Sequence, residues 1–147
     1  VSTMAWTPSI SGGSLRAFAA LDPRVRVLGL DYDQQCLFSE STIETRWCNQ
    51  LNPASLDDVR REFADTSFDL IVDDGLHFVT ANLNSLLAFL PLLRTNGFFV
   101  VEDIPTRSFI VWEVLRHLLH EKGFLTALWE HPRGSGANLV VTRRAHP

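Results

Sequence analysis

Two acidic strings carry the side chains most able to do chemistry. Asp73-Asp74-Gly75-Leu76-His77 places two carboxylates and an imidazole within one short stretch, and Glu102-Asp103 adds two further carboxylates. Each string follows an apolar run, residues 68–72 and 98–101, that reads as a buried strand. In open α/β sheets ligands gather beyond the carboxyl ends of the strands, so adjacent strands would set both strings on one rim. Carboxylates crowded there raise one another's pKa unless a cation or a hydrogen-bond donor relieves them. A hard divalent cation would do so. Mg²⁺ takes oxygen ligands and is typically held by few carboxylates together with substrate oxygens, a role that suits Asp74, Glu102 and Asp103. His77 beside them could accept a proton near neutral pH. The same residues admit a plainer reading, with Asp73 or Asp74 capping the next helix, Glu102 a solvated strand-end acid and His77 a surface histidine. Residue types alone leave both open.

A third feature lies near the start. Gly12-Gly13-Ser14 opens a helical stretch, and Asp31 follows Gly12 by nineteen residues at the end of the next apolar run. That interval matches the distance from a glycine turn to a ribose-binding carboxylate in nucleotide-binding folds. A glycine-rich turn with a serine cap and an exposed acid would look the same.

The elements that must position these groups follow from periodicity and punctuation. A helix is predicted over 14–21, with Ser14 as N-cap and Asp22-Pro23 as its stop, then a strand over 25–30 and a short polar strand over 44–48. Asn52 or Pro53 opens a helix running to residue 64, with Asp57 and Asp58 near its positive end. Residues 68–72 read as a central parallel strand covered on both faces. Val79, Leu83, Leu86, Leu87, Leu90 and Leu93 then form one helical stripe, closed by Asn96-Gly97. After the strand over 98–101, a helix over 109–122 is expected to turn Val111, Val114, Leu115, Leu118 and Leu119 inward, with Gly123 as its end. The strands over 124–131 and 137–143 are joined by 132–136, a turn-rich link short enough for an antiparallel hairpin. The predicted class is α/β, a mostly parallel sheet with an antiparallel C-terminal hairpin.

Length and composition exclude several alternatives. The 147 residues, 46% hydrophobic and 20% charged, fit a single globular domain over 1–147 with an atypical N-terminal segment over 1–11. Thirteen Lys plus Arg against seventeen Asp plus Glu leave a net charge of -4, which argues against nucleic acid as a partner. The apolar runs fall well short of the ~20 residues that span a bilayer, so no membrane role is expected. Residues 1–13 lack the pattern of a signal peptide, and Cys36 and Cys48 show no zinc or disulfide spacing, so a cytoplasmic protein with reduced thiols is expected.

Several motifs in order carry a family resemblance. Gly12-Gly13-Ser14-Leu15, Val27-Leu28-Gly29-Leu30-Asp31, Asp69-Leu70-Ile71-Val72-Asp73-Asp74-Gly75-Leu76-His77, Leu90-Pro91-Leu92-Leu93-Arg94 and Phe99-Val100-Val101-Glu102-Asp103 resemble class I S-adenosylmethionine-dependent methyltransferases. More narrowly, they are similar to the metal-dependent sugar O-methyltransferases, the macrocin O-methyltransferase or cephalosporin-hydroxylase-like group. Asn138-Leu139-Val140-Val141 resembles the family's final strand. The resemblance implies a Rossmann-like three-layer sandwich whose first strand is missing or rebuilt here, because Trp6-Thr7-Pro8-Ser9-Ile10-Ser11 stands where the family has an apolar run. It implies methyl transfer from S-adenosylmethionine, assisted by Mg²⁺, to a hydroxyl of a sugar or other small polyol, and a homo-oligomer. Gly12, Gly13, Ser14, Asp31, Asn49, Gln50 and Asp73 would then bind the cofactor, with Asn49 and Gln50 beside adenine. Asp74, Glu102 and Asp103 would hold the metal, and His77 would be the general base, with Asp74 sharing its catalytic role. The competing reading is a degenerate or truncated methyltransferase fold that serves as a non-catalytic binding or assembly module. A nicotinamide enzyme fits less well, since no strand-borne Gly-x-Gly-x-x-Gly is present.

Overall fold

The structure, a computed structural model, describes residues 12–132 and 136–143. The atypical start over 1–11, where the first strand is expected to be missing or rebuilt, and the middle of the 132–136 turn lie outside the described residues. The chain divides into two compact units, the first ending at Asn49 and the second beginning at Gln50. Among the described residues no helix is long and apolar enough to cross a membrane.

In the first unit, helix α1 (Gly13–Ala19) starts from Gly12, which has φ 81°. Ser14, the expected N-cap, lies inside the first turn, and no side chain caps the helix. The start is set by backbone instead, because Gly12 alone can adopt the left-handed conformation cheaply and a Cβ there would meet the Phe38 ring at 2.3 Å. Strand β1 (Val27–Asp31) runs parallel to β3 (Ile43–Trp47), with Asp31 opposite Trp47. A two-residue piece, β2 (Ser39–Glu40), pairs antiparallel with β3 and is too short to leave a period in the sequence. Buried Gly29 lets Leu15 of α1 lie directly on β1, since a Cβ there would sit 2.4 Å from Leu15 Cδ1. Arg16 clamps Glu40 through two hydrogen bonds of 2.7 and 2.9 Å and lies 4.5 Å from the centre of the Phe38 ring.

The second unit holds most of the core. Helix α2 (Pro53–Glu62) is capped by Asn52, whose side chain accepts from the Ala54 N–H at 3.0 Å. Strand β4 (Phe68–Asp73) is parallel to β5 (Leu93–Ile104), which pairs antiparallel with β7 (Ala137–Arg143), itself antiparallel to β6 (Phe124–Glu130). The order β4-β5-β7-β6 contains the predicted parallel pair and C-terminal hairpin. Strand β5 begins earlier than predicted because Leu93 already pairs with Phe68, and a register shift before Leu70 absorbs the Asn96-Gly97 turn signal. Strand β4 was expected to be central and covered. Among the described residues only β5 pairs with it, and Leu70 is 42% exposed.

Phe99 and Val101 of β5 and Leu139 and Val141 of β7 are fully buried. Helix α4 (Phe109–Glu121) packs on β6 and buries Trp112 and Leu119, with Leu115 half-buried between them. Val111, Val114 and Leu118, expected inward, are exposed; the bulk of Trp112 fixes the inward face at 112, 115 and 119, and those three fall off it. Helix α3 (Val79–Phe89) departs in a more informative way. Its buried face is Ala81, Asn82, Ser85, Leu86 and Phe89, while Leu87 of the predicted stripe is 71% exposed. The two polar residues on that face serve the site.

Candidate functional site

The sheet register brings the two acidic strings together. Asp73 pairs with Val101, so Asp74 and Glu102 leave neighbouring parallel strands side by side. On the other side of β5 the pairing slips: Val101 faces Leu139, but Ile104 faces Ala137. Two residues, Glu102 and Asp103, therefore stand opposite one, Asn138, which is a β-bulge. Asp103 takes φ 50° within it, and His77 takes φ 52° in the loop beyond β4. One ligand atom each from Asp74, His77 and Asp103 lie within 4.8 Å of one another. His77 Nε2 is 3.8 Å from Asp74 Oδ1, while its Nδ1 is buried without a hydrogen-bond partner among the described residues.

Asp74 and Asp103 bring together the oxygen ligands that a hard divalent cation takes, with the His77 imidazole close beside them. Glu102 is not among the three converging residues, but it is electrostatically part of the same group. Burial raises its carboxyl pKa first, Asp74 and Asp103 raise it further, and His77 and His131 oppose the rise. A raised carboxyl pKa means that the fold favours the neutral form, so ionisation costs stability as pH rises through the folded value. In metal-free protein, Glu102→Gln is therefore expected to raise the thermal midpoint near pH 7. The gain should fade toward about pH 3, where the native residue is already protonated. Melts across that range check it, and an equal shift at both ends would contradict the electrostatic origin.

Behind the rim, Asp73 is 6% exposed and accepts from Gln50 Nε2 at 2.6 Å and from Asn82 Nδ2 at 3.0 Å. Gln50 Nε2 also donates to Ser85 Oγ at 2.9 Å, and Gln50 Oε1 accepts from the Leu76 N–H at 3.0 Å. Its backbone carbonyl accepts from Asn84 Nδ2 at 3.0 Å. Both amide hydrogens of Gln50 are thus engaged in holding the Asp73–Leu76 loop to α3. Gly75 belongs to the same arrangement, since a Cβ there would lie 2.2 Å from Gln50 Oε1. Of the residues expected to contact cofactor, Asp73 and Gln50 are built into this support.

The remaining expected residues are in the first unit. Gly12 sits at the left-handed turn before α1, and Gly13 and Ser14 are exposed in its first turn. Asp31 ends β1, exposed, with Oδ1 accepting from the Asp33 N–H at 2.8 Å and no partner on Oδ2 among the described residues. Asn49 follows β3 and is half-buried.

Asn82, Ser85, Asn138 and His131 were not singled out from the sequence. Asn82 and Ser85 left only a weak signal, being polar residues four positions after Phe78 and Ala81 on a helix that also carries Thr80 and Asn84. Asn138 and His131 left none, because a bulge partner is defined only by the pairing across strands.

No protein-family model matches the chain. Its fold is that of Rossmann-like methyltransferases: the MycE methyltransferase from the mycinamycin biosynthetic pathway, in complex with Mg, SAH and mycinamycin VI, superposes with a TM-score of 0.72 at 22% identity. That superposition covers 90% of this chain and 40% of the other. Over about two thirds of its length the sequence is similar to O-methyltransferases that act on natural products. It is 33% identical over 99 residues to the mycinamicin VI 2''-O-methyltransferase of Micromonospora griseorubida, covering 67% of this chain and 24% of that one. It is 31% identical over 99 residues to the demethylmacrocin O-methyltransferase of Streptomyces fradiae, covering 67% and 25%. The chain thus spans about a quarter of the length of the curated relatives it matches.

Proposed function

We propose that the chain carries the catalytic core of an S-adenosylmethionine-dependent O-methyltransferase that uses Mg²⁺ and modifies a hydroxyl of a sugar or similar polyol. The observation that carries this reading is the convergence of Asp74, His77 and Asp103, on a fold shared with a methyltransferase that binds Mg and SAH. The reading treats residues 1–147 as one methyltransferase-like domain, supported by a structural likeness that spans 90% of the chain.

Asp74 and Asp103 would hold the metal, and Glu102 would be the third acid of the set. Gly12, Gly13 and Ser14 would let backbone approach the methionine end of the cofactor, Asp31 would accept from the ribose hydroxyls through its open Oδ2, and Asn49 would lie at the adenine. When bound, S-adenosylmethionine supplies an activated methyl group and Mg²⁺ lowers the pKa of a coordinated hydroxyl. His77 takes the hydroxyl proton at Nε2, and Asp74, 3.8 Å away, stabilises the imidazolium that results. Gln50 and Asn82 keep the loop bearing both residues in place, so the protein's part is orientation and proton removal, with no covalent intermediate on the chain.

Calorimetric titration of the protein with S-adenosylhomocysteine, with and without Mg²⁺, tests the reading without knowledge of the acceptor. Micromolar binding is expected. Asp31→Ala is expected to weaken it by roughly 1.5–3 kcal/mol, the range for losing a charged hydrogen-bond partner. A folded sample that binds in neither condition would overturn the enzyme reading in favour of a non-catalytic module.

A further inference from the structure

We infer that Asn138 is a positioning residue: its side-chain oxygen fixes the bulge that delivers Asp103 to the acidic cluster, and His131 fixes Asn138. The inference rests on the metal-binding reading of that cluster. In regular pairing, one residue of β5 would face Asn138 and its neighbour would point to the opposite face of the sheet. Two residues face Asn138 instead, because Val101 pairs with Leu139 while Ile104 pairs with Ala137. A bulge leaves one backbone group without a ladder partner. Here the Asp103 N–H is taken by Asn138 Oδ1 at 3.1 Å.

That contact also settles which way the amide points, since a backbone N–H can only donate and the atom it meets must be the oxygen. His131 Nε2 lies 3.0 Å from the same Oδ1 and must therefore carry its proton there and donate. His131 is itself anchored, its N–H donating to the Gly136 carbonyl at 2.8 Å beside the turn that joins β6 to β7. The chain of contacts runs from the hairpin through His131 and Asn138 to the backbone of Asp103, whose φ of 50° lies outside the region that side-chain-bearing residues prefer. Without the Oδ1 acceptor, the backbone at Asp103 is free to return to an extended conformation, which turns its carboxylate away from Asp74 and His77.

Titration with Mn²⁺, followed by electron paramagnetic resonance of the free ion and by calorimetry, tests this. Asn138→Leu, close in size but without the acceptor, is expected to lose about 10–100-fold in Mn²⁺ affinity, the usual cost of removing a ligand's supporting partner. Asn138→Asp keeps an oxygen for the Asp103 N–H and is expected to recover at least most of the wild-type affinity, a rescue that a purely structural role for Asn138 would not produce. If Asn138→Leu binds Mn²⁺ as tightly as the wild type, the inference is wrong. If Asn138→Leu fails to fold, Asn138→Asp decides alone, and weak binding by that variant in a folded state would overturn the inference. Absence of Mn²⁺ binding by the wild type would instead sink the metal reading, and this inference with it.

Discussion

Asp74→Asn is expected to lower divalent-metal affinity by about 100-fold or more, above the 10–100-fold typical of a supporting residue, and to stop the proposed methyl transfer. It should do so while leaving the folded state nearly as stable as the wild type. The Asp74 side chain is 61% exposed and is approached by His77 at 3.8 Å, so neutralising it removes no buried hydrogen bond. Metal titration beside a thermal melt separates the two effects. Wild-type metal affinity in this variant would place the centre elsewhere.

The second large effect should fall on stability. Gln50→Leu removes one of the two donors to the buried Asp73 carboxylate, leaves the Leu76 N–H without its acceptor, and strips a donor from Ser85. An expected loss of about 2–3 kcal/mol follows from leaving a desolvated charge short of a partner, readable as a fall in the urea midpoint. The double variant Gln50→Leu, Asp73→Leu should lose less than the sum of the single changes, because the stranded charge goes with its partner. Strict additivity would show that Gln50 and Asp73 do not act as a unit. Paired with the Asp74 variant, this separates the residues that would do the chemistry from those that hold them.

The fold was legible where physical signals are local. The apolar runs of β4 and β5, the helix opened at Asn52 and Pro53, and the antiparallel pairing of β6 with β7 all correspond to observed elements. Signals that depend on neighbours were not legible. Ser14 is a good capping residue in general, yet Gly12 sets the start of α1 through its φ, and no side chain caps it. The hydrophobic stripe of α4 pointed to Val111, Val114 and Leu118, whereas Trp112 sets the buried face and leaves those three outside. At the site, Asp74, His77 and Asp103 were readable as types following strands, and the register places them together. Gln50 was readable as a residue of interest, but its part as a strut needed Asp73, Ser85 and Leu76 in place. Asn138 could not be found, because only strand pairing shows that it faces two acids at once.

The backbone at His77 and Asp103 narrows what each position can accept. Both adopt the left-handed conformation, and histidine and aspartate are among the few side-chain-bearing residue types that enter it readily. The demands of a proton acceptor or an oxygen ligand and those of the main chain thus coincide in the same residue. An exchange that preserves chemistry on paper need not preserve it here. Glutamate at 103 keeps a carboxylate but gives up the tolerance for φ near 50°, whereas at 74, absent from the positive-φ positions, the same exchange changes reach alone. Substitution tables score the two exchanges alike; the main chain does not.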